Sequence, residues 1–343
     1  MKEIQNYLRQ NKISLSRFIS HCLYKKNEGF YQKNKIGNHF ITSPEISQLF
    51  GECVSIFFLI LLEKLNVKNF CELGPGNGTL MKDMIKSIGK VVKTNLNFYL
   101  YDKSSLLKSL QKKNLRSLSS EKIKISFLDK LELKKEPYFF VCNEFFDSLP
   151  INQYKKINSK WYEKRVIFDK KFKIINHELK DTFLSGYNDG DIIESSPLTE
   201  LYMKRICKHI KRFGGGILIF DYGPFKKENI DTIQSIYKSK KCGVLDYPFE
   251  SDITYHVDFQ NLKKISSNFS LLNFGPITQK KFLYFYGINE RVISLASKLK
   301  SKDIIKDLEQ QFERLTSPSG LGNLIKCLFI SNYKINLKAF GTN

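Results

Sequence analysis

In the run Glu72-Leu73-Gly74-Pro75-Gly76-Asn77-Gly78-Thr79, three glycines alternate with other residues, just after a short apolar run and just before a helical pattern. Glycine at such spacing lets the chain leave a strand, turn sharply and bring bare backbone against a ligand that a Cβ would repel. A strand, a glycine turn and a helix in this order belong to an α/β unit whose strands are parallel. The spacing also discriminates among ligands. A dinucleotide-binding fingerprint asks for a small third residue where this chain has Thr79. A phosphate loop would end in Gly-Lys-Ser/Thr, which is absent here. The acid ahead of the turn, Glu72, suits a ligand that carries an ammonium and no phosphate, as S-adenosylmethionine does. Glu72, Gly74, Gly76 and Gly78 are therefore candidate cofactor-binding residues.

Further apolar runs at 70–73, 98–101, 123–128, 138–142 and 217–220 are separated by helical patterns, among them 79–88 and 104–113. Strands buried on both faces and alternating with helices predict a parallel sheet. Ahead of them lie helical patterns at 2–9 and 14–24, then Thr42-Ser43-Pro44-Glu45. There Ser43 can cap a helix, Pro44 fits its first position and Glu45 complements its dipole, predicting a helix to about Leu65. Between 153 and 179 the alternation gives way to β-prone stretches (161–168, 172–175) and polar turns, which predicts an inserted antiparallel unit. Ser196-Pro197 opens a further helix that ends near Gly214 to Gly216. A later strand is expected at 281–286, among helices.

Ligands of open α/β sheets sit at the carboxyl ends of the strands, so acids there are candidates. The second strand ends in Asp102, which can accept hydrogen bonds from two ribose hydroxyls or can simply cap a turn. The third ends in Asp129, placed for an adenine amino group or for solvent. The fourth ends in Asn143-Glu144-Phe145-Phe146-Asp147-Ser148-Leu149-Pro150. Glu144 and Asp147 are three apart, so one helical turn would put both carboxylates on one side. A guanidinium is planar, permanently charged and forked to match carboxylates. Capping by Asp147 with an exposed Glu144 is the plainer alternative. Lone His256 reads as structural or as a general base, and Asp221-Tyr222-Gly223 as a site edge or a turn. Gly320 to Gly322 carries no chemistry.

The segments 40–52, 72–83 and 143–150, with Asp221-Tyr222-Gly223, 252–259 and Thr278-Gln279 followed by Phe282-Leu283, resemble the MidA-type family of S-adenosylmethionine-dependent protein arginine methyltransferases, which has bacterial and mitochondrial members. The resemblance runs in order over nearly the whole chain. It implies a class I methyltransferase (Rossmann-like) α/β fold with a parallel-rich sheet. The expected division is an N-terminal helical segment over 1–66, a methyltransferase core over 67–150 and 196–343, and an inserted antiparallel β unit over 151–195. It also implies S-adenosylmethionine as cofactor, with Glu72, Gly74, Gly76, Gly78, Asp102, Asp129 and Asn143 as its binding residues and Glu144 and Asp147 as catalytic residues. In the mitochondrial case it implies symmetric dimethylation of an arginine on a subunit of respiratory complex I, NADH:ubiquinone oxidoreductase. The chain departs from the family at Asn77, where a basic residue is common, and at Gly37-Asn38-His39-Phe40, where an acid is common.

Composition separates the remaining readings. The 343 residues hold 56 Lys+Arg against 34 Asp+Glu, a formal charge of +22, which would suit nucleic acid, anionic lipid or an acidic partner. The charges are dispersed, however, with no basic arm, and two acids at 144 and 147 would repel a phosphate-rich substrate. A nucleic-acid methyltransferase and a noncatalytic, cofactor-binding assembly factor remain the rivals to a protein arginine methyltransferase; an NAD-dependent oxidoreductase fits Thr79 poorly. The seven cysteines are scattered and form no C-x-x-C pair, which points to reduced thiols. No histidine spacing suggests a metal. The longest nearly apolar run, 53–62, is too short to span a bilayer. No signal-peptide pattern opens the chain. A cytoplasmic protein, or a mitochondrial matrix protein if eukaryotic, is the expectation, with a protein substrate as partner.

Overall fold

In the computed structural model, which describes residues 2–37, 41–180 and 185–341, five parallel strands follow the glycine turn's logic. They are β1 (Asn69–Leu73), β2 (Leu96–Tyr101), β3 (Ile123–Leu128), β4 (Tyr138–Asn143) and β5 (Gly215–Tyr222). Two more, β6 (Leu272–Thr278) and β7 (Ile325–Ser331), complete a seven-stranded sheet in the order β6-β7-β5-β4-β1-β2-β3. Only β7 runs against its neighbours: it pairs antiparallel with both β5 and β6. Every residue of β1, β4 and β7 is buried, as strands covered on both faces require. The chain reverses its direction of sheet growth between β1 and β4, and a crevice opens at their carboxyl ends.

Helices cover both faces and create two apolar cores. One packs α1 (Gln48–Leu62) and α2 (Thr79–Val91) against the sheet through Phe57, Phe58, Met81 and Met84. The other packs Phe140, Ile217 and Ile219 against α3 (Pro197–Phe213) through Met203, Ile206 and Ile210. The helix expected from Ser43 to Leu65 is two helices. Ser43–Ile46 stops at Ser47, whose extended backbone (φ −162°, ψ 145°) breaks the path. Ser47 Oγ then accepts from Leu49 N at 3.4 Å and caps α1. The strand expected at 281–286 is also corrected. Gln279–Phe285 is helical, started by Thr278 Oγ accepting from Lys281 N at 3.1 Å. Phe282 and Leu283 are buried and Phe285 is exposed. A short apolar run alone does not distinguish a strand from a buried helix face.

The inserted unit is antiparallel: Asn152–Ile157, Lys160–Asp169, Lys171–Glu178 and Ile192–Ser195 form one sheet. It is joined by Ile13–Ser14 from the N-terminal segment, with Ile13 opposite Val166. A three-stranded sheet that the sequence reading lacks, Gln234–Tyr237, Lys240–Cys242 and Asp252–Thr254, lies within 196–343. A third core unites these pieces through Phe18, Leu23, Ile151, Val166, Phe249 and Ile253. The N-terminal helices Lys2–Gln10 and Leu15–Tyr24 thus share one core with the insertion and the small sheet. This shared lobe stands over the crevice. No helix among the described residues is long and apolar enough to cross a membrane.

Candidate active site

All three glycines of the turn lie in the left-handed region, at φ 64°, 52° and 82° for Gly74, Gly76 and Gly78, which side chains disfavour. Space is also short. A Cβ on Gly74 would fall 2.7 Å from the Phe145 ring, and one on Gly76 would fall 2.9 Å from Ile36 Cγ1. The turn is fastened from outside. Glu45 Oε1 accepts from Thr79 Oγ1 at 2.6 Å and Asn77 Nδ2 at 3.1 Å, and Asn77 Nδ2 also donates to Ile36 O at 2.9 Å. From the helix Ser105–Leu115, Gln111 Nε2 donates to Gly76 O at 2.8 Å and to Asp102 Oδ2 at 3.0 Å. Asn77, where the family commonly has a base, is therefore a neutral clamp on the N-terminal segment. The other departure, at 38–40, lies outside the described residues.

Above the turn opens a cavity of about 320 Å³, walled by the strand tips, the N-terminal segment and the three-stranded sheet. Six carboxylates line it, from Glu45, Glu72, Asp102, Glu144, Asp147 and Asp252, against one lysine, Lys103, among the described residues. The site of a chain with charge +22 is thus acidic. That contrast selects a cationic occupant.

Glu72 is 3% exposed, and burial pushes its carboxyl up to about 8. Its Oε2 is buried without a hydrogen-bond partner, as is Asn143 Oδ1. Orphaned acceptors in a native cavity mark where a ligand donates. Asp102 is half-buried and raised to about 6 by burial, although Ser104 N donates to its Oδ1 at 2.8 Å. Asp129 does not join them. It is exposed beyond the end of the edge strand β3, paired with Lys108, and lines no part of the cavity. The placement expected for it near an adenine is corrected accordingly. Gly78 also lies off the cavity lining, at the start of α2.

Glu144 and Asp147 both face the cavity, but not from a helical turn as the spacing suggests. Just beyond β4, residues 146–149 form a tight turn, closed by Leu149 N donating to Phe146 O at 3.1 Å. Glu144 has φ 51°, a left-handed conformation of the kind that gathers at functional sites. Asp221, fully buried beneath, holds this turn: its Oδ2 accepts from Phe146 N and its Oδ1 from Tyr222 N, each at 2.9 Å. It supports the site edge, while Tyr222 lines the cavity. Burial, then the neighbouring acids, push Glu144 up to about 8 and Asp147 well above the carboxylate range. Asn143 Nδ2 donates to Glu144 Oε1 at 3.0 Å. No lysine or arginine pairs with either acid among the described residues.

Sequence reasoning missed much of the far wall: Tyr24, Tyr31, Thr232 and Asp252. The stretch 252–259 was a signal, as was the tyrosine content of the N-terminal segment, but neither spacing predicts a cavity. His256 lines the cavity, and burial lowers its imidazole pKa, so it is neutral near pH 7. Its backbone N donates to Thr232 Oγ1 at 3.0 Å. Among the described residues no group of three His, Cys, Asp or Glu is arranged to hold a metal ion.

Residues 53–277 match the model of a family described as "Putative S-adenosyl-L-methionine-dependent methyltransferase". The mitochondrial protein arginine methyltransferase NDUFAF7 of Xenopus laevis is 27% identical over 92% of this chain and 80% of its own length. That of Homo sapiens is 27% identical over 90% and 78%. A crystal structure from Burkholderia thailandensis, bound to S-adenosyl-homocysteine, superposes with a TM-score of 0.86 at 21% identity, covering 99% of this chain and 94% of that one. At that identity the superposition speaks for the fold.

Proposed function

Since the chain belongs to this family of S-adenosylmethionine-dependent methyltransferases, we propose that it methylates arginine side chains of a protein substrate, with Glu144 and Asp147 as the groups that receive the guanidinium. The observation that carries this reading is the cavity itself: carboxylates at neighbouring strand tips with no lysine or arginine paired to Glu144 or Asp147 among the described residues. Two curated relatives carry the name protein arginine methyltransferase over most of this chain. The residues fit the cofactor. Left-handed glycines leave room where a Cβ would clash, Glu72 and Asn143 hold orphaned acceptors, and Asp102 can accept from a ribose. We assign Glu72, Gly74, Gly76, Asp102 and Asn143 to its contacts, and Gly78 to the backbone turn.

When bound, S-adenosylmethionine supplies a methyl group already activated on a sulfonium. The protein's task is then proximity and alignment. Glu144 and Asp147 draw the guanidinium charge toward themselves and leave one nitrogen facing the methyl carbon. Transfer of that methyl group to the nitrogen would require the nitrogen to give up a proton. Glu144, held at about 8 by burial, is suited to accept it. Neutral His256 stands in the same wall as an alternative acceptor.

The proposed target is an arginine on a subunit of respiratory complex I, with assembly of that complex as the outcome, in a bacterial cytoplasm or a mitochondrial matrix; the motif resemblance supports it. A nucleic-acid substrate is disfavoured because, among the described residues, the cavity wall offers one lysine and no cluster of basic side chains to neutralise phosphates. Purified complex I subunits incubated with the protein and S-adenosylmethionine should gain 14 or 28 Da steps (roughly one or two methyl groups) on an arginine peptide by mass spectrometry. No such gain on any subunit would overturn this target.

A further inference from the structure

Asp252 lies in the stretch 252–259 that resembles the family without any role assigned to it. It sits on the last strand of the three-stranded sheet, is 3% exposed and lines the same cavity as Glu144 and Asp147. Tyr31 OH donates to its Oδ1 at 2.7 Å. Among the described residues no lysine or arginine pairs with it. A carboxylate this deeply buried, held by one hydroxyl and the Ile253 backbone N–H but by no cation, is costly to keep ionised.

The tyrosine that holds it belongs to a pair. Tyr24 and Tyr31, both from the N-terminal segment, stack with ring centroids 5.5 Å apart. Tyr24 OH donates to Ser148 O at 2.9 Å and to Ser148 Oγ at 3.1 Å, next to Asp147. One tyrosine thus fastens the turn that carries Asp147, and its neighbour fastens Asp252. Glu144 and Asp147 share the segment that follows β4, Asp252 comes from the three-stranded sheet, and the stack bridges the two. Their fields overlap: Asp252 raises both Glu144 and Asp147. Asn143 Oδ1, buried and unpartnered, opens on the same cavity.

Building on the arginine reading, we propose that Asp252 is a third carboxylate of the substrate site, oriented by Tyr31 so that the incoming guanidinium meets acids on two sides and tyrosine faces beside them. A planar cation with five N–H donors can satisfy acceptors on several sides at once, which an ammonium on a flexible stem does less well. Tyrosine faces add attraction for a desolvated cation. The purely architectural alternative is that Asp252 only anchors the N-terminal segment through Tyr31.

The test is binding of ethylguanidinium and, separately, ethylammonium to full-length protein saturated with S-adenosylhomocysteine, by calorimetry. The proposal expects the wild type to bind ethylguanidinium more tightly than ethylammonium. Asp252→Asn should weaken ethylguanidinium tenfold or more and keep S-adenosylhomocysteine affinity within threefold. Exposed Asp303→Asn should change nothing. Tyr31→Phe should weaken the probe several-fold, and it serves as the deciding variant if Asp252→Asn does not fold. Ethylguanidinium bound equally by Asp252→Asn (or by Tyr31→Phe in its stead) but lost in Glu144→Gln would overturn this proposal and leave the arginine reading standing. No ethylguanidinium binding to the wild type would overturn both.

Discussion

Glu144 combines three properties that rarely meet in one carboxylate: a left-handed backbone, a pKa near 8 and a place in the cavity wall. Its replacement by glutamine keeps size and hydrogen bonding but removes the charge and the proton acceptor. Turnover should fall by about 10²-fold or more, the scale of lost acid–base and charge stabilisation, while calorimetric affinity for S-adenosylmethionine stays within a few-fold. Equal loss of both would contradict the division of roles. The raised pKa also fixes a direction with pH. Below about 8 Glu144 is largely protonated in the free site, and a guanidinium must displace that proton to pair with it. The kcat/KM for a protein substrate should therefore climb from pH 6 to pH 9. A profile that is flat or falls over that range would contradict it. At this scale much was legible in the sequence, because glycines and acids at strand ends have few other uses together. Asp129 misled because strand-end position alone does not say which way a side chain faces. Asp252 and Tyr31 were illegible as site residues, being far apart in the chain and joined only by folding.

Among the elements, the insertion holds the cavity wall by a continuous set of hydrogen bonds. Glu194 Oε1 accepts from Gln153 Nε2 at 2.8 Å and Thr232 N at 2.9 Å, and its Oε2 accepts from Thr232 Oγ1 at 2.6 Å. Lys164 donates to Asp231 Oδ2 at 2.8 Å and Gln153 Oε1 at 2.7 Å. Glu194→Ala leaves both donors of half-buried Thr232 without this acceptor and buried Gln153 with Asp231 in its place, and should lower stability by about 1–3 kcal/mol, measured by denaturant unfolding. Because Thr232 and His256 line the cavity, KM for a protein substrate should rise while cofactor affinity holds. An unchanged KM would make the insertion a packing element only. The glycine turn gives the complementary prediction. Gly76→Ala would combine a left-handed φ with a Cβ 2.9 Å from Ile36, and should cost about 1–2 kcal/mol and weaken cofactor binding tenfold. Unaltered affinity would remove the turn from the cofactor site. The alternating strands and helices were readable from buried apolar runs. The break at Ser47 and the helix at Gln279–Phe285 were not, since both depend on side-chain caps that compete with the apolar pattern.

For the molecule as a whole, an acidic chamber inside a chain of charge +22 links stability to pH. Glu72 and Glu144 are raised to about 8, Asp221 to about 7 and Asp252 to about 6. Their folded values exceed their unfolded ones, so the native state binds more protons across that window and loses stability as pH rises through it. Melting of the cofactor-free protein should fall from pH 6 to pH 8.5. The fall should be smaller in Glu72→Gln and smaller with S-adenosylmethionine bound. An equal fall in all three would place the titrating groups elsewhere. The joint lobe of N-terminal helices, insertion and small sheet was the least legible feature, because its core is assembled from residues as distant as Phe18, Val166 and Ile253. The central claim is that this chamber brings an arginine beside an activated methyl group. Its most direct test is to incubate cell extract with the protein and methyl-labelled S-adenosylmethionine, then hydrolyse and separate the labelled products. The account predicts label in methylated arginine with wild type and none with Glu144→Gln. Label in nucleic acid or lysine, or arginine label that persists in Glu144→Gln, would contradict it.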